Sequence, residues 1–105
     1  AEYFADVITE AYFLEKKMNR DSTIQIAQDL INGDRQDTYG KAEDNFKRIA
    51  ERWTQLLGIE IKPWQVGVMM ADLKLARLAN GKPSLDSFID GIGYLALASE
   101  LSSAE

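Results

Sequence analysis

The sequence contains no cysteine and no histidine. It therefore cannot form a disulfide, a structural zinc site of the usual kind, or a catalytic centre that depends on thiolate or imidazole. Only hard ions bound through oxygen, such as magnesium, manganese or calcium, suit its side chains. No apolar run approaches the ~20 residues of a membrane span, and residues 1–20 lack the features of a signal peptide. We expect a cytoplasmic protein without membrane contact.

Basic residues are also scarce. Lysine and arginine number 12 against 17 aspartate and glutamate residues, for a net charge of −5. The basic residues are scattered, and none follows Lys82, whereas Asp86, Asp90, Glu100 and Glu105 do. A surface of this sign repels phosphate backbones unless a local basic patch intervenes. General nucleic-acid binding is not expected.

Helical periodicity runs through nearly the whole chain. Its 105 residues, 46% of them apolar, suit one domain over residues 1–105 with a single core. Apolar residues recur at steps of three and four, and no segment alternates with a period of two for long enough to build a sheet. We predict an all-α antiparallel bundle of about five helices. An amphipathic N-terminal helix occupies residues 1–20 in this prediction, and the bundle core occupies residues 22–101.

Cap and turn residues predict where these helices begin and end. The markers are a capping box from Ser22 to Gln25, stops at Gly33 and Gly58, Pro63 in the first turn of the fourth helix, and Ser84 at the start of the fifth. The fourth helix is apolar on most sides from Trp64 to Leu78, so we expect it to be the central one. Leu56 and Leu57 in the third helix, and Phe88, Leu95 and Ala96 in the fifth, belong to stripes that we expect to face inward.

The last two predicted helices carry two pairs of opposite charges. Lys74 and Arg77 share one helical face, and Asp86 and Asp90 share one face of the next helix. An antiparallel turn near residue 82 places Arg77 opposite Asp86 and Lys74 opposite Asp90. One interpretation is that these ion pairs only fix the register of the hairpin. The other is that the aspartates hold a divalent cation such as Mg²⁺ while the cations bind phosphate oxygens.

The segment "NGDRQDTYG", residues 32–40, separates the second and third predicted helices. Its glycines and aspartates are explained by turn chemistry, but a turn requires neither Arg35 nor Tyr39. A guanidinium beside a phenol suits phosphate or carboxylate binding together with ring stacking. Asn45, one turn into the third helix, is a candidate for the same site. Alternatively, Arg35 pairs with a nearby acid and Tyr39 packs over the end of the bundle.

Four strings in a fixed order carry a resemblance to a known family. They are "NGDRQDTYG", "EDNFKRIAERW", "KLARL" and "DSFIDGIGYLALA". Together they resemble a family of small phage and prophage proteins over roughly residues 24–98, with the first twenty residues outside the match. This resemblance implies a phage-encoded protein that works in the cytoplasm of the host cell.

The last string, "DSFIDGIGYLALA", is also distantly similar to the final metal-binding helix of the MazG-like all-α nucleoside triphosphate pyrophosphatases. That similarity implies a MazG-like core in which Asp90 binds the metal and Asp86 assists. Those enzymes carry three glutamates in the preceding helix, where this chain has "MMADLKLAR" with Asp72 as the only acid. A full Mg-dependent pyrophosphohydrolase centre is therefore not expected, and any such activity would be weak.

Two hypotheses follow about function. In the first, the protein recognises a nucleotide or another phosphate-bearing ligand, with Mg²⁺ as the one cofactor considered. In the second, it is a non-enzymatic acidic module that binds a host or phage protein, for example as an inhibitor of a host defence system. Phe13, on the charged side of the N-terminal helix, is then a candidate anchor for the partner. MazG-like bundles often dimerise, which together with the apolar stripe of that helix favours a homodimer; the stripe could equally fold back on its own chain.

Overall fold

Four α-helices make up the part of the chain that the computed structural model describes, residues 18–33 and 41–104. They are α1 (Arg20–Asn32), α2 (Ala42–Leu57), α3 (Pro63–Ala79) and α4 (Leu85–Ser103). No strand occurs in those two ranges, so the all-α prediction is confirmed for them. The predicted N-terminal helix falls mainly outside the described residues. The count of five helices is therefore not confirmed, and the division into residues 1–20 and 22–101 stays a prediction.

Helix α1 begins three residues earlier than predicted, because Asn19 rather than Ser22 caps it. The backbone N–H of Ser22 donates to Asn19 Oδ1 at 2.9 Å, and the backbone N–H of Asn19 donates to Ser22 Oγ at 2.9 Å. These reciprocal bonds satisfy two donors at the helix start. Ser22 is thus the inner member of a capping box rather than the cap. The end of α1 at Gly33 agrees with the prediction.

The remaining predicted boundaries are confirmed. Gly58 ends α2 with a φ of 75°, a left-handed conformation that glycine adopts without steric cost, and its N–H donates to the Thr54 carbonyl at 2.9 Å. Pro63 occupies the first position of α3, and the Ser84 hydroxyl accepts from the Ser87 N–H at the start of α4. These local signals work because each depends on only a few adjacent residues.

The turn between α2 and α3 is closed by one side chain, Thr54. The Ile61 N–H donates to Thr54 Oγ1 at 2.8 Å, and the same hydroxyl donates to the Ile61 carbonyl at 3.4 Å. Both bonds are partly buried. A single hydroxyl therefore joins the last turn of α2 to the residues that lead into α3.

The central helix is α4 and not α3, contrary to the prediction. Helix α4 contacts each of the other three helices, and its contact with α3 is the most extensive in the structure. Helix α3 leaves Val68, Met69, Leu73 and Leu75 exposed. Among the described residues, no helix is long and apolar enough to cross a membrane. The main buried cluster draws on all four helices and comprises Ile26, Ala27, Leu30, Phe46, Ala50, Val66, Ala71, Ile89 and Tyr94.

Several apolar residues that were expected to face inward are exposed instead. The buried residues of α2 end at Ala50, and beyond it Leu56 and Leu57 are 80% and 56% exposed. On α4, Phe88 and Leu95 are about half exposed, and Ala96 is exposed. Helix α4 is apolar on so many sides that periodicity alone does not identify the side that packs.

Candidate ligand site on the α3–α4 hairpin

Helices α3 and α4 approach each other closely because small residues face each other across the hairpin. A Cβ atom placed on Gly67 would lie 2.8 Å from Ala98 Cβ and 3.1 Å from the Tyr94 carbonyl oxygen. Real Cβ atoms essentially never come so near, so only glycine permits this separation of the helices. Toward the other end of the hairpin, Gly91 faces Lys74 at an ordinary contact distance. These two contacts fix the antiparallel register.

The register brings Lys74 against Asp90, as predicted from their distances to the turn. Lys74 Nζ lies 3.0 Å from Asp90 Oδ2, and each side chain is only 1% exposed. Two charges removed from water this completely carry a large desolvation cost, which their mutual attraction offsets. The pair is therefore a buried polar centre inside the hairpin.

Asp86 lies one turn before Asp90 and is only partly buried. Burial raises the pKa of its carboxyl above the ordinary value of 3.8, while the positive charge of Lys74 acts in the opposite direction. Asp86 Oδ1 is buried and accepts no hydrogen bond within the described part of the chain. Arg77 is exposed, and the positive charge of Lys74 acts on Asp86 as well as on Asp90. The structure thus places one buried lysine near two carboxylates, and the predicted pairing of Arg77 with Asp86 stays a prediction.

The start of α2 approaches the same side of α4. Phe46 stacks on Tyr94 with ring centroids 6.1 Å apart and an interplanar angle of 28°. Tyr94 lies one turn beyond Asp90 on the buried side of α4. Asn45, the residue before Phe46, is half-buried and accepts a hydrogen bond from Arg48 Nη2. Phe46 thus contacts the buried side of α4, whereas the role of Asn45 in a site with Asp90 stays a prediction.

The other predicted site residues, Arg35, Tyr39 and Phe13, lie outside the described residues. Their roles stay predictions. Sequence reasoning missed the contributions of Gly67 and of the Phe46–Tyr94 stack. Two signals point to them: Tyr94 follows Asp90 by one helical turn, and Gly67 and Ala71 recur on one face of α3.

The acidic residues do not form a multidentate metal centre in the part of the chain that the structure describes. Residues 18–33 and 41–104 contain no group of three or more His, Cys, Asp or Glu side chains able to hold a metal ion. A cation bridging Asp86 and Asp90 would have to compete with the Lys74 ammonium, which already contacts Asp90. What the hairpin offers chemically is one buried ammonium, on Lys74, beside two carboxylates, with Asp86 Oδ1 as a buried acceptor that has no donor among residues 18–33 and 41–104.

Comparison with known proteins gives matches to one family and to phage proteins. The family described as "Domain of unknown function (DUF6378)" matches residues 22–102. The "Gene 55 protein" of Mycobacterium phage L5 is 36% identical over 81 residues, which cover 76% of this chain and 52% of that protein. The "Gene 55 protein" of Mycobacterium phage D29 is 38% identical over 74 residues, which cover 70% of this chain and 49% of that protein.

The chain thus spans about half the length of these curated relatives. No solved structure matches it. The resemblance to small phage proteins is confirmed, whereas no match supports the more distant similarity to MazG-like pyrophosphatases.

Proposed function

Because the chain belongs to the family described as "Domain of unknown function (DUF6378)", which matches most of its length, we propose a function from the site itself. The protein binds a nucleotide or a related phosphate-bearing ligand beside the α3–α4 hairpin, in the cytoplasm of a phage-infected cell, and hydrolyses it weakly or not at all. The observation that carries this proposal is the buried Oδ1 atom of Asp86, which has no hydrogen-bond donor among the described residues.

A buried carboxylate oxygen without a donor is unfavourable by about 1–3 kcal/mol, so such atoms usually mark a place that a ligand, ion or water completes. Asp86 needs a donor, and phosphate oxygens only accept. A nucleotide supplies both kinds of group, because its sugar hydroxyls and base amino groups donate while its phosphates accept. We assign the donor groups of the ligand to Asp86.

Arg77 is the cation that we assign to the phosphates. It lies in the last turn of α3, three residues beyond Lys74, and it is exposed to solvent. A guanidinium suits bidentate contact with phosphate oxygens. Lys74 is too deeply buried for this task, and we assign it to neutralising Asp90 and orienting Asp86. Asn45, Arg35 and Tyr39 complete the proposed site, as the sequence predicts.

Binding rather than turnover fits the charges of the hairpin. Metal-assisted pyrophosphate hydrolysis requires several carboxylates around Mg²⁺ to bridge the phosphates and orient water. Here Lys74 lies where further carboxylates would be needed, and Asp86 and Asp90 alone give a weak site at most. If the protein is an enzyme, it is a slow Mg-dependent nucleoside triphosphate pyrophosphohydrolase.

Thermal unfolding with a panel of ribo- and deoxynucleotides, with and without Mg²⁺, tests this proposal. Ligand at about 100 times its Kd stabilises the folded state by about 2.7 kcal/mol, which shifts the Tm by several degrees. We expect Asp86→Asn and Arg77→Ala to weaken the shift and Asp72→Asn, at an exposed position of α3, to retain it. If no nucleotide at millimolar concentration changes the Tm of the unsubstituted protein, the proposal is wrong.

A second candidate function is supported by the turn between α2 and α3. Leu56, Leu57 and Ile59 are all more than half exposed there, which is unusual for three large apolar residues within four positions. An adjacent groove of about 470 Å³ is lined by Ala50, Thr54, Ile61 and Pro63, with Lys47, Glu51 and Glu60 around it. These features suit an acidic module that docks on a host or phage protein.

The two candidate functions can be separated by substitution. Leu56→Ser with Ile59→Ser should abolish capture of a phage or host partner while leaving nucleotide-dependent changes in Tm intact. Asp86→Asn should do the reverse. A docking function for this turn would be wrong if the doubly substituted protein retained every partner that the unsubstituted protein captures.

A further inference from the structure

The outer side of the α3–α4 hairpin is apolar and exposed. Val68 and Leu75 on α3 are 41% and 59% exposed, and Phe88 and Leu95 on α4 are 47% and 51% exposed. Large apolar side chains that share one surface of a monomer are uncommon unless that surface binds something. We call these four residues the hairpin face.

The register shows that the four residues form two adjacent cross-helix pairs. Gly67 lies against Ala98, and Lys74 lies against Asp90 and Gly91. Because α3 and α4 are antiparallel, one residue forward along α3 matches one residue back along α4, so Val68 lies level with residues 93–97, which include Leu95. By the same rule, Leu75 lies level with residues 89–90, next to Phe88. The two pairs are seven residues, or about 10 Å, apart along each helix.

Helical geometry places both pairs on the side of the hairpin away from α2. Positions seven apart return to nearly the same side of a helix, so Val68 and Leu75 form one row and Phe88 and Leu95 form another. Tyr94, which stacks on Phe46 of α2, points about 100° around α4 from Leu95. The hairpin is therefore a layer with α2 on one side and the hairpin face on the other.

Charge limits what can cover the hairpin face. No charged residue occurs on α4 between Asp90 and Glu100, and Asp72 and Arg77 are the only exposed charges on α3. Nucleic acid or an anionic lipid surface would require a basic patch, which this region lacks. A strongly basic protein would require acidic residues around the hairpin face. The surface that complements the hairpin face is therefore another uncharged apolar layer of the same length.

A second copy of this chain supplies such a layer. At a net charge of −5, two copies repel each other over most of their surfaces, and the uncharged hairpin face is where close approach costs least. A two-fold axis in the plane of the face brings the apolar pairs of one copy onto those of the other. Two helices of this length cover about 25 by 20 Å, which is compatible with a small specific interface.

We propose that the protein is a homodimer in which the hairpin faces of two copies pack against each other. Val68, Leu75, Phe88 and Leu95 form the centre of this interface, and the four helices of the two hairpins make one antiparallel bundle. The interface lies on the side of the hairpin opposite α2, so dimer formation leaves the proposed ligand site accessible.

Sedimentation equilibrium or light scattering coupled to size exclusion provides the first test. The unsubstituted chain should have twice the monomer mass of 11.8 kDa at micromolar concentration. Leu75→Glu and Phe88→Glu should each return the mass to that of one chain. Leu57→Glu adds the same charge at a position of similar exposure on α2 and should leave the dimer intact. A monomeric unsubstituted chain, or a dimer that survives both hairpin-face substitutions, would overturn the proposal.

Thiol labelling gives a second test without an added charge, because the natural sequence has no cysteine. The thiol of a Leu75→Cys variant should react with a maleimide several-fold more slowly as protein concentration rises through the dimer Kd. The thiol of a Leu57→Cys variant should react at a constant rate. Slow labelling of Leu75→Cys at every concentration would mean that another segment of the same chain covers the face, and that result would also overturn the proposal.

Discussion

The two sides of the α3–α4 hairpin reverse the usual distribution of residues in a small protein. The inner side buries a lysine and an aspartate almost completely, as the Lys74–Asp90 pair. The outer side exposes Val68, Leu75 and other large apolar residues. Buried charges are rare unless they are paired, and several exposed apolar residues on one surface are rare unless they bind. Each side therefore departs from the ordinary pattern in a way that a functional role would explain.

The two sides also differ in which property of the protein a substitution should change. Substitutions on the inner side should change the free energy of unfolding, because they disturb desolvated charges and close packing. Substitutions on the outer side should change what the protein binds while the fold remains. Four sets of substitutions test this difference, in order of decreasing effect on stability.

Lys74→Met should have the largest effect. It removes the ammonium from a buried carboxylate, and breaking a buried ion pair from one side typically costs about 3–5 kcal/mol. The double substitution Lys74→Met with Asp90→Leu removes both charges and should recover most of that loss. Urea unfolding monitored by circular dichroism measures both values. A loss below about 1 kcal/mol for Lys74→Met would show that the pair contributes little to the inner side.

Gly67→Ala should destabilise by about 1–3 kcal/mol, because its methyl group would force α3 away from Ala98 and Tyr94. Gly91→Ala is the matched control on the facing helix. Its methyl group would meet Lys74 Cβ at 3.9 Å, an ordinary contact, so the higher helix propensity of alanine should stabilise by up to about 1 kcal/mol. Equal effects of the two substitutions on thermal unfolding would contradict this account of the close approach.

Asp86 should make the stability depend on pH in the direction opposite to a salt-bridged carboxylate. Its pKa is raised in the folded protein, so its contribution is fully present below the ordinary value of 3.8 and is lost as the pH rises through the folded pKa. Asp86→Asn should therefore stabilise the protein more at pH 7 than at pH 4. The difference between urea midpoints at the two pH values measures this effect.

Leu75→Gln should change the free energy of unfolding least, by no more than about 0.5 kcal/mol when measured at low protein concentration, because the side chain is already largely exposed. At high concentration the same substitution should remove the concentration-dependent part of the stability that a dimer confers. A large loss at low concentration would mean that Leu75 packs within its own chain, and the contrast between the two sides would disappear.

The sequence predicted the features of this fold that depend on neighbouring residues. Gly58, Pro63 and Ser84 mark helix boundaries where expected, since caps and turns require only a few adjacent residues. The position of Lys74 opposite Asp90 was also predictable, because a short connection between two helices fixes their register. The fold class followed from periodicity alone.

Features that depend on which surfaces meet were not predictable. Helices α3 and α4 are both apolar on most sides, so periodicity could not decide which of them lies at the centre or that Leu95 faces outward. The partial burial of Asp86 and the stacking of Phe46 on Tyr94 depend on three helices together. The prediction that Ser22 caps α1 was wrong because Asn19, an equally good capping residue, lies three residues earlier.

The hydroxyl of Thr54 has a consequence for the exposed leucines beside it. By binding both the N–H and the carbonyl of Ile61, it fixes the backbone on each side of Leu56, Leu57 and Ile59. Apolar residues on a fixed backbone lose less conformational entropy when they bind in a groove of a partner protein than the same residues on a flexible loop would. Thr54→Val keeps the shape of the side chain and removes the hydroxyl. It should therefore make the backbone around Leu56, Leu57 and Ile59 more flexible.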